Sequence, residues 1–245
     1  MPYNGTYKIN TQDTFKLSRS KVELYLNCKR CFYLDRKYDI KRPFGFPFNL
    51  NNAVDELLKK EFDIYRVKKQ AHPYMKDLGF NALPFEHDDL DKWRHNFTGV
   101  SFEYKPKNFH LFGAVDDVWI NTDTDELIVV DYKATSKDGE VSLDAAWQMS
   151  YKRQLEFYQF LLRGAGYKVY DTVYFVYCNG LRNKEAFNER LDFSVKIIPY
   201  IGNTQWIEPT LKEIYDLLNQ DKTPKPSSNC DYCNYLHKRY LQSIK

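Results

Sequence analysis

Two aspartates and a lysine stand at spacings that suit them to joint chemistry. Asp116 closes the run Gly113-Ala114-Val115-Asp116, while Asp131 and Lys133 flank Tyr132. Between these ends lie Asp117-Val118-Trp119-Ile120, a polar turn from Asn121 to Glu126, and Leu127-Ile128-Val129-Val130. Two mainly apolar runs around such a turn predict a β-hairpin. Strand alternation then puts Asp131 and Lys133 on one face and Tyr132 on the other, and the hairpin brings Asp116 to Asp131. Burying two carboxylates and an ammonium is costly unless they pair or bind a metal. A salt-bridged strand end at the surface is one solution. The other is a hard cation such as Mg²⁺, which takes one or two carboxylates together with carbonyls and water. Asp116, Asp131 and the Tyr132 carbonyl would be its ligands. Lys133 would orient a water or stabilise a phosphate in the transition state of phosphodiester cleavage.

The surrounding chain supplies elements to hold this trio. A helix is predicted from Ser18, capped by Ser18 or Ser20, with Val22, Leu24, Tyr25 and Leu26 apolar. The loop Pro43-Phe44-Gly45-Phe46-Pro47-Phe48 ends that pattern. A second helix is predicted from Asn51 to Lys69 on Val54, Leu57, Leu58, Phe62 and Tyr65, with Asp55 and Glu56 in its first turns. His72-Pro73 interrupts it, and short helical pieces are expected around Leu83-Pro84-Phe85 and Leu90 to Trp93. Three successive antiparallel strands follow, Val100 to Tyr104, Phe109 to Trp119 and Leu127 to Ala134. After the loop Thr135 to Gly139, a helix from Asp144 to Arg163 ends at Gly164-Ala165-Gly166. Strands from Asp171 to Cys178 and from Leu191 to Ile201 pair antiparallel, and a last helix runs from Trp206 to Asn219. This order predicts an α/β fold with helices on a central mixed sheet. Residues 1–16 read as a flexible arm, and Thr223 to Ser228 as an extended tether. No repeat and no interdomain linker is evident, so residues 1–245 are expected to form one domain.

On the helix after the lysine strand, Gln154 and Tyr158 are four residues apart and share a face. They suit contacts to phosphate or to an attacking water, or else form the polar edge of an amphipathic helix. Four of the five cysteines form two Cys-x-x-Cys pairs, Cys28/Cys31 and Cys230/Cys233. Inside a cell such pairs point to metal rather than to disulfides, and Cys178, alone in an apolar strand, reads as core. His72, His87, His95 and His110 show no common ligand spacing. Arg36, Lys37, Lys41 and Arg42 make a basic stretch that would track a phosphate backbone or form a solvated face.

Composition bounds the answer without deciding it. The 245 residues are 43% hydrophobic and 28% charged, as in globular proteins, and no run approaches the roughly 20 apolar residues of a membrane span. The start lacks a basic segment followed by an apolar one, so a cytoplasmic location is expected. A net charge of +3 neither requires nor excludes nucleic acid, because a local patch suffices. The 20 tyrosines offer stacking platforms for bases or half-buried packing positions.

Taken together, Gly113-x-x-Asp116, Asp131-Tyr132-Lys133 and Gln154-x-x-x-Tyr158 resemble the RecB-like branch of the PD-(D/E)XK nuclease superfamily. Leu17-Ser18-Arg19-Ser20 through Tyr25, Cys28, Arg30, Phe32 and Tyr33 is similar to the N-terminal signature of that branch, as is Cys230-x-x-Cys233 to its terminal one. The resemblance spans about residues 17 to 240. It implies a restriction-endonuclease-like core over 100–180 and cleavage of DNA with Mg²⁺ or Mn²⁺. Asp116 and Asp131 would hold the metal, Lys133 would be the catalytic lysine, and Gln154 and Tyr158 the helix motif. Many relatives carry a histidine ligand on the early helix, where this chain has Asp55. The resemblance further implies exonuclease action in DNA repair, recombination or mobile-element defence, with a helicase or CRISPR protein as partner. Some members similar to this chain, of the CRISPR-associated and AddB types, clasp 17–50 to 221–240 with a 4Fe-4S cluster. Those usually use one plus three cysteines, whereas this chain offers two plus two, which keeps Zn²⁺ as the alternative. Two other readings of the chain are a non-catalytic nucleic-acid-binding module and a zinc-stabilised interaction protein.

Overall fold

A computed structural model describes residues 5–9 and 11–244. In chain order these form β1 (Phe15–Ser18), α1 (Arg19–Asn27), α2 (Lys29–Tyr38), α3 (Asn49–Lys68), β2 (Ala82–Pro84), α4 (Leu90–Arg94), β3 (Val100–Tyr104), β4 (Phe109–Gly113), β5 (Asp117–Asn121), β6 (Glu126–Thr135), α5 (Met149–Gly164), β7 (Thr172–Gly180), β8 (Phe193–Ile201), α6 (Ile207–Leu218) and α7 (Asp231–Ser243). Contacts divide the chain into two compact units. One comprises the residues up to Phe46, Phe102–Phe112 and those from Gln205 on, and the other Pro47–Ser101 with Gly113–Thr204.

The second unit is built on a sheet of order β2-β5-β6-β7-β8. β5 and β6 are antiparallel with Asp117 opposite Val130, whereas β6 and β7 are parallel with Asp131 beside Phe175 and Lys133 beside Tyr177. A parallel pair needs a long crossover, and α5 lies within it. Strands covered on both faces read as unbroken apolar runs, and Ile128, Val129 and Val130 are all fully buried. α3 sets Leu58 and Phe62 against this sheet, with the Phe62 ring stacked 5.4 Å from Trp119. Each such side chain, fully buried, contributes about 1.5–3 kcal/mol. Leu57, predicted on the same stripe, is exposed.

The other unit holds a three-stranded sheet of order β1-β4-β3, with β1 and β4 parallel and Leu17 beside Leu111. Tyr25, Phe32 and Tyr33 from α1 and α2 and Leu211, Ile214 and Leu218 from α6 fill its core. The two tyrosine hydroxyls donate to Glu213 Oε2 and to the Gln220 carbonyl, at 2.7 and 2.8 Å.

Four expectations change. The N-terminal arm is tied down where it is described: Phe15–Ser18 forms β1, and the Tyr7 N–H donates to the Arg36 carbonyl at 2.6 Å. Residues 1–4 and 10 of that arm lie outside the described residues. Phe109 to Trp119 is two strands rather than one, because the chain leaves one sheet at Gly113 and enters the other at Asp117. Gly99, at φ +61°, lies so close to this junction that a Cβ there would stand 2.3 Å from the Gly113 oxygen, a place only glycine can fill. Leu83-Pro84 belongs to edge strand β2 rather than to a helix, a position where proline's missing N–H is tolerated. Finally, α7 follows α6, so Trp206 to Asn219 is not the last helix.

Candidate active site

β6 delivers the chemistry-bearing side chains. Asp131 is wholly buried, and its Oδ1 has no hydrogen-bond donor on it. Its charge is met by Lys133, whose Nζ lies 2.5 Å from Oδ2 as an ion pair. Burial pushes the Asp131 carboxyl up from its ordinary pKa, Lys133 opposes this, and Asp116 adds to it. Burial alone would lower the Lys133 ammonium, but Asp131 and Asp116 outweigh it and leave it raised. Continuing the β5–β6 register by one residue sets Asp116 opposite Asp131. Asp116 Oδ2 accepts the Tyr132 N–H at 3.0 Å.

Asp55 reaches the same group from α3. Lys59, one turn on, bridges it to the hairpin: Nζ is 2.6 Å from Asp55 Oδ2 and 3.7 Å from Asp116 Oδ1. The Asp55 pKa is raised by burial and then by Asp116, against Lys59 and Lys133. From α5, Gln154 Nε2 donates to Tyr158 Oη at 3.1 Å. The same helix sets the Tyr151 ring 4.5 Å from Lys133 Nζ, a cation–π contact.

Sequence reasoning missed what lies beneath. Asp116 and Asp117 are neighbours serving opposite sides of the hairpin. Asp117 is fully buried, and its Oδ1 accepts from Arg66 and, at 2.9 Å, from Arg94 Nη2, while Oδ2 accepts the Tyr132 hydroxyl at 2.6 Å. Arg94 Nε donates to the Asp116 carbonyl at 3.2 Å and Arg66 Nε to the Phe85 carbonyl at 2.7 Å. The network thereby holds both the Asp116 backbone and the Tyr132 ring. Asp63 pairs with both guanidiniums too, so Asp117→Ala would leave two buried guanidiniums sharing one carboxylate. It is expected to cost about 3–5 kcal/mol, measured by urea unfolding. No periodicity marks Arg66 or Arg94 as partners of Asp117, but the doubled Asp116-Asp117 was a visible signal. Lys59 was legible too, at i+4 from Asp55.

A family model described as the PD-(D/E)XK nuclease superfamily matches residues 47–237. This chain belongs to the PD-(D/E)XK nuclease superfamily. The mixed sheets flanked by helices are its restriction-endonuclease-like fold, and membership makes hydrolysis of nucleic acid the class of activity. The match takes in all the residues of the β6 group and Cys230 and Cys233, but not Cys28 and Cys31. No curated protein matches the chain. Among solved structures, one described as "Crystal structure of SSO0001" is 15% identical, covering 94% of this chain and 87% of that chain at a TM-score of 0.40. So distant a likeness carries no functional argument.

The superfamily's chemistry draws on divalent metal, and the donors present fit one. The buried Asp131 Oδ1, which has no hydrogen-bond partner, is what an ion would satisfy. The other sequence candidates are accounted for differently. His72 is buried, stacks 4.3 Å from Phe62 and meets Glu61 at 2.9 Å, and His110 pairs with Glu103 at 2.6 Å. Arg36 pairs with the buried Asp35, Lys37 donates to the Gln220 carbonyl, Lys41 pairs with Asp39, and Arg42 donates to Cys230. Cys178 is buried in β7, and burial pushes its thiol up to about 11, as an inert core residue requires. Cys28, Cys31, Cys230 and Cys233 do come together, in the other unit, with all four sulfurs within 4.8 Å of one another. Among the described residues no helix is long and apolar enough to cross a membrane.

Proposed function

We propose that this chain is a Mg²⁺- or Mn²⁺-dependent deoxyribonuclease, an exonuclease acting in DNA repair, recombination or mobile-element defence. The observation that carries the reading is Asp131, a buried carboxylate whose Oδ2 pairs with Lys133 while its Oδ1 has no hydrogen-bond donor, set opposite Asp116. Burying an ionised carboxylate in this way is costly, and a module that only binds nucleic acid has no use for it. Exonuclease action and the pathway rest on the sequence resemblance.

In this reading Asp116, Asp131 and the Tyr132 carbonyl hold the ion, with Asp55 as a further ligand from α3. When bound, the ion activates a water and neutralises charge on the phosphate. Lys133, with its raised pKa, stays an ammonium and stabilises the oxygen on which charge develops. Gln154 and Tyr158, hydrogen-bonded to each other, orient the water or the phosphate from α5. The exposed Trp147 packs 5.3 Å from Tyr151 and offers a face for a base. DNA is the proposed partner, with a helicase or another recombination or CRISPR protein as a second. Residues 1–245 are proposed to work as one nuclease domain.

Lys59 gives a prediction at this point. Its ammonium stands between Asp55 and Asp116 as an internal counter-cation, so it competes with an incoming ion. Lys59→Ala is expected to tighten Mn²⁺ binding about threefold, the scale of a partly exposed ion pair. Calorimetric titration of both proteins measures this directly.

The function itself is tested by digestion of labelled linear and circular DNA, single- and double-stranded, with Mg²⁺, Mn²⁺ or EDTA. Metal-dependent loss of linear substrate with circles spared is the expected result. Cleavage of circles would replace exonuclease with endonuclease action. No cleavage of any substrate with either metal would leave the binding-module reading in its place.

A further inference from the structure

The cysteine pairs occupy equivalent places on two helices. Cys28 is the residue before α2 and Cys31 its third residue, and Cys230 and Cys233 stand in the same relation to α7. Each pair therefore presents two sulfurs beside the free N–H groups of a first turn, which favour thiolate. Three of the six sulfur separations are 3.9 Å for Cys28–Cys233, 3.7 Å for Cys31–Cys230 and 3.6 Å for Cys31–Cys233, and all six lie within 4.8 Å. All four thiols are free, and these separations far exceed the roughly 2.05 Å of a disulfide.

The spacing discriminates between the two candidate occupants. One ion with tetrahedral metal–sulfur bonds of about 2.3 Å puts its ligands about 3.8 Å apart. A 4Fe-4S cube bonds each thiolate to a different iron and sets sulfides between them, so its cysteines stand at outer corners, well beyond the separations here. We propose that Cys28, Cys31, Cys230 and Cys233 hold a single tetrahedral zinc ion, not the iron–sulfur cluster that the resemblance implies. Four thiolates close the coordination shell, which makes the site structural. They also leave a net charge of about −2 around a divalent ion. Arg42 answers it: Nη2 donates to Cys230 Sγ at 3.3 Å, and the guanidinium lies 4.7 Å over the Tyr232 ring. A cation on a ligand sulfur is the kind of outer contact that orients and stabilises a metal site. The zinc has a clear task, because α7 buries no residue of its own and meets its unit through these sulfurs and the Arg42–Tyr232 contact.

The assignment is independent of the catalytic reading, and its test does not involve activity. The full chain is purified anaerobically from cells supplied with both iron and zinc, then analysed for metals and acid-labile sulfide. In parallel, Co²⁺ is exchanged into the wild-type protein and its visible spectrum recorded. Zinc at about one per chain without labile sulfide, and the intense ligand-field bands of tetrahedral Co²⁺ thiolate, are expected. Cys31→Ala is expected to lose both signals. Iron with matching sulfide would overturn the proposal, and so would a metal-free protein that takes up no Co²⁺. The wild-type Co²⁺ spectrum carries the test even if the variant fails to fold.

Discussion

Lys133→Ala is expected to slow DNA cleavage about 10²–10³-fold, the effect of removing one preorganised stabiliser of transition-state charge. The ammonium is held in place: its side chain is 16% exposed, in ion contact with Asp131 and under the Tyr151 ring. Truncation takes away the charge and leaves Asp131 buried without a counter-ion, which by itself would destabilise the fold. The Asp131 carboxyl is already raised by burial. Once Lys133 is gone it rises further and takes up a proton over a wider pH range, which limits the loss of stability. The variant should thus remain folded near neutral pH while the chemistry fails. Single-turnover cleavage of labelled DNA measures the first effect and thermal unfolding the second. Identical rates for wild type and variant on every substrate and with both metals would end the enzyme reading.

Removing the ion from the four cysteines is expected to release α7 and to cost about 5 kcal/mol. That figure comes from the loop-closure entropy of a cross-link between residues 199 apart, as Cys31 and Cys230 are. The real value also contains the metal–thiolate bonds and the thiol ionisation that accompanies them. Leu236 and Tyr240 on α7 are exposed, so little apolar burial remains to hold the helix once the sulfurs let go. Hydrogen exchange in α7 should rise to that of an unfolded segment after chelation, and the melting temperature should fall. Unchanged melting in both Cys28→Ser and Cys233→Ser would count against a clasp.

The hairpin was legible because its two signals are local. Period-2 alternation placed Asp131 and Lys133 together, and a polar turn from Asn121 to Glu126 set the register that brings Asp116 opposite. α3, α5, β7 and β8 were visible for the same reason, since each carries its own period and its own stop. Local pattern failed at the junction from Gly113 to Asp117, where the mainly apolar run from Phe109 to Trp119 belongs to two sheets. It failed again at Leu83-Pro84, where three residues are too few to show a period.

By itself the sequence determined the residue types that meet at the β6 strand and at the cysteines, because spacing along one strand or one helix turn decides which neighbours share a face. Only the tertiary structure decided what surrounds them. It set Lys59 between Asp55 and Asp116, locked Asp117 to Arg66 and Arg94 beneath the hairpin, and left Asp131 Oδ1 bare. It also fixed the sulfur separations that favour one ion over a cluster. Distances between residues far apart in the chain follow from packing, and no local periodicity encodes them.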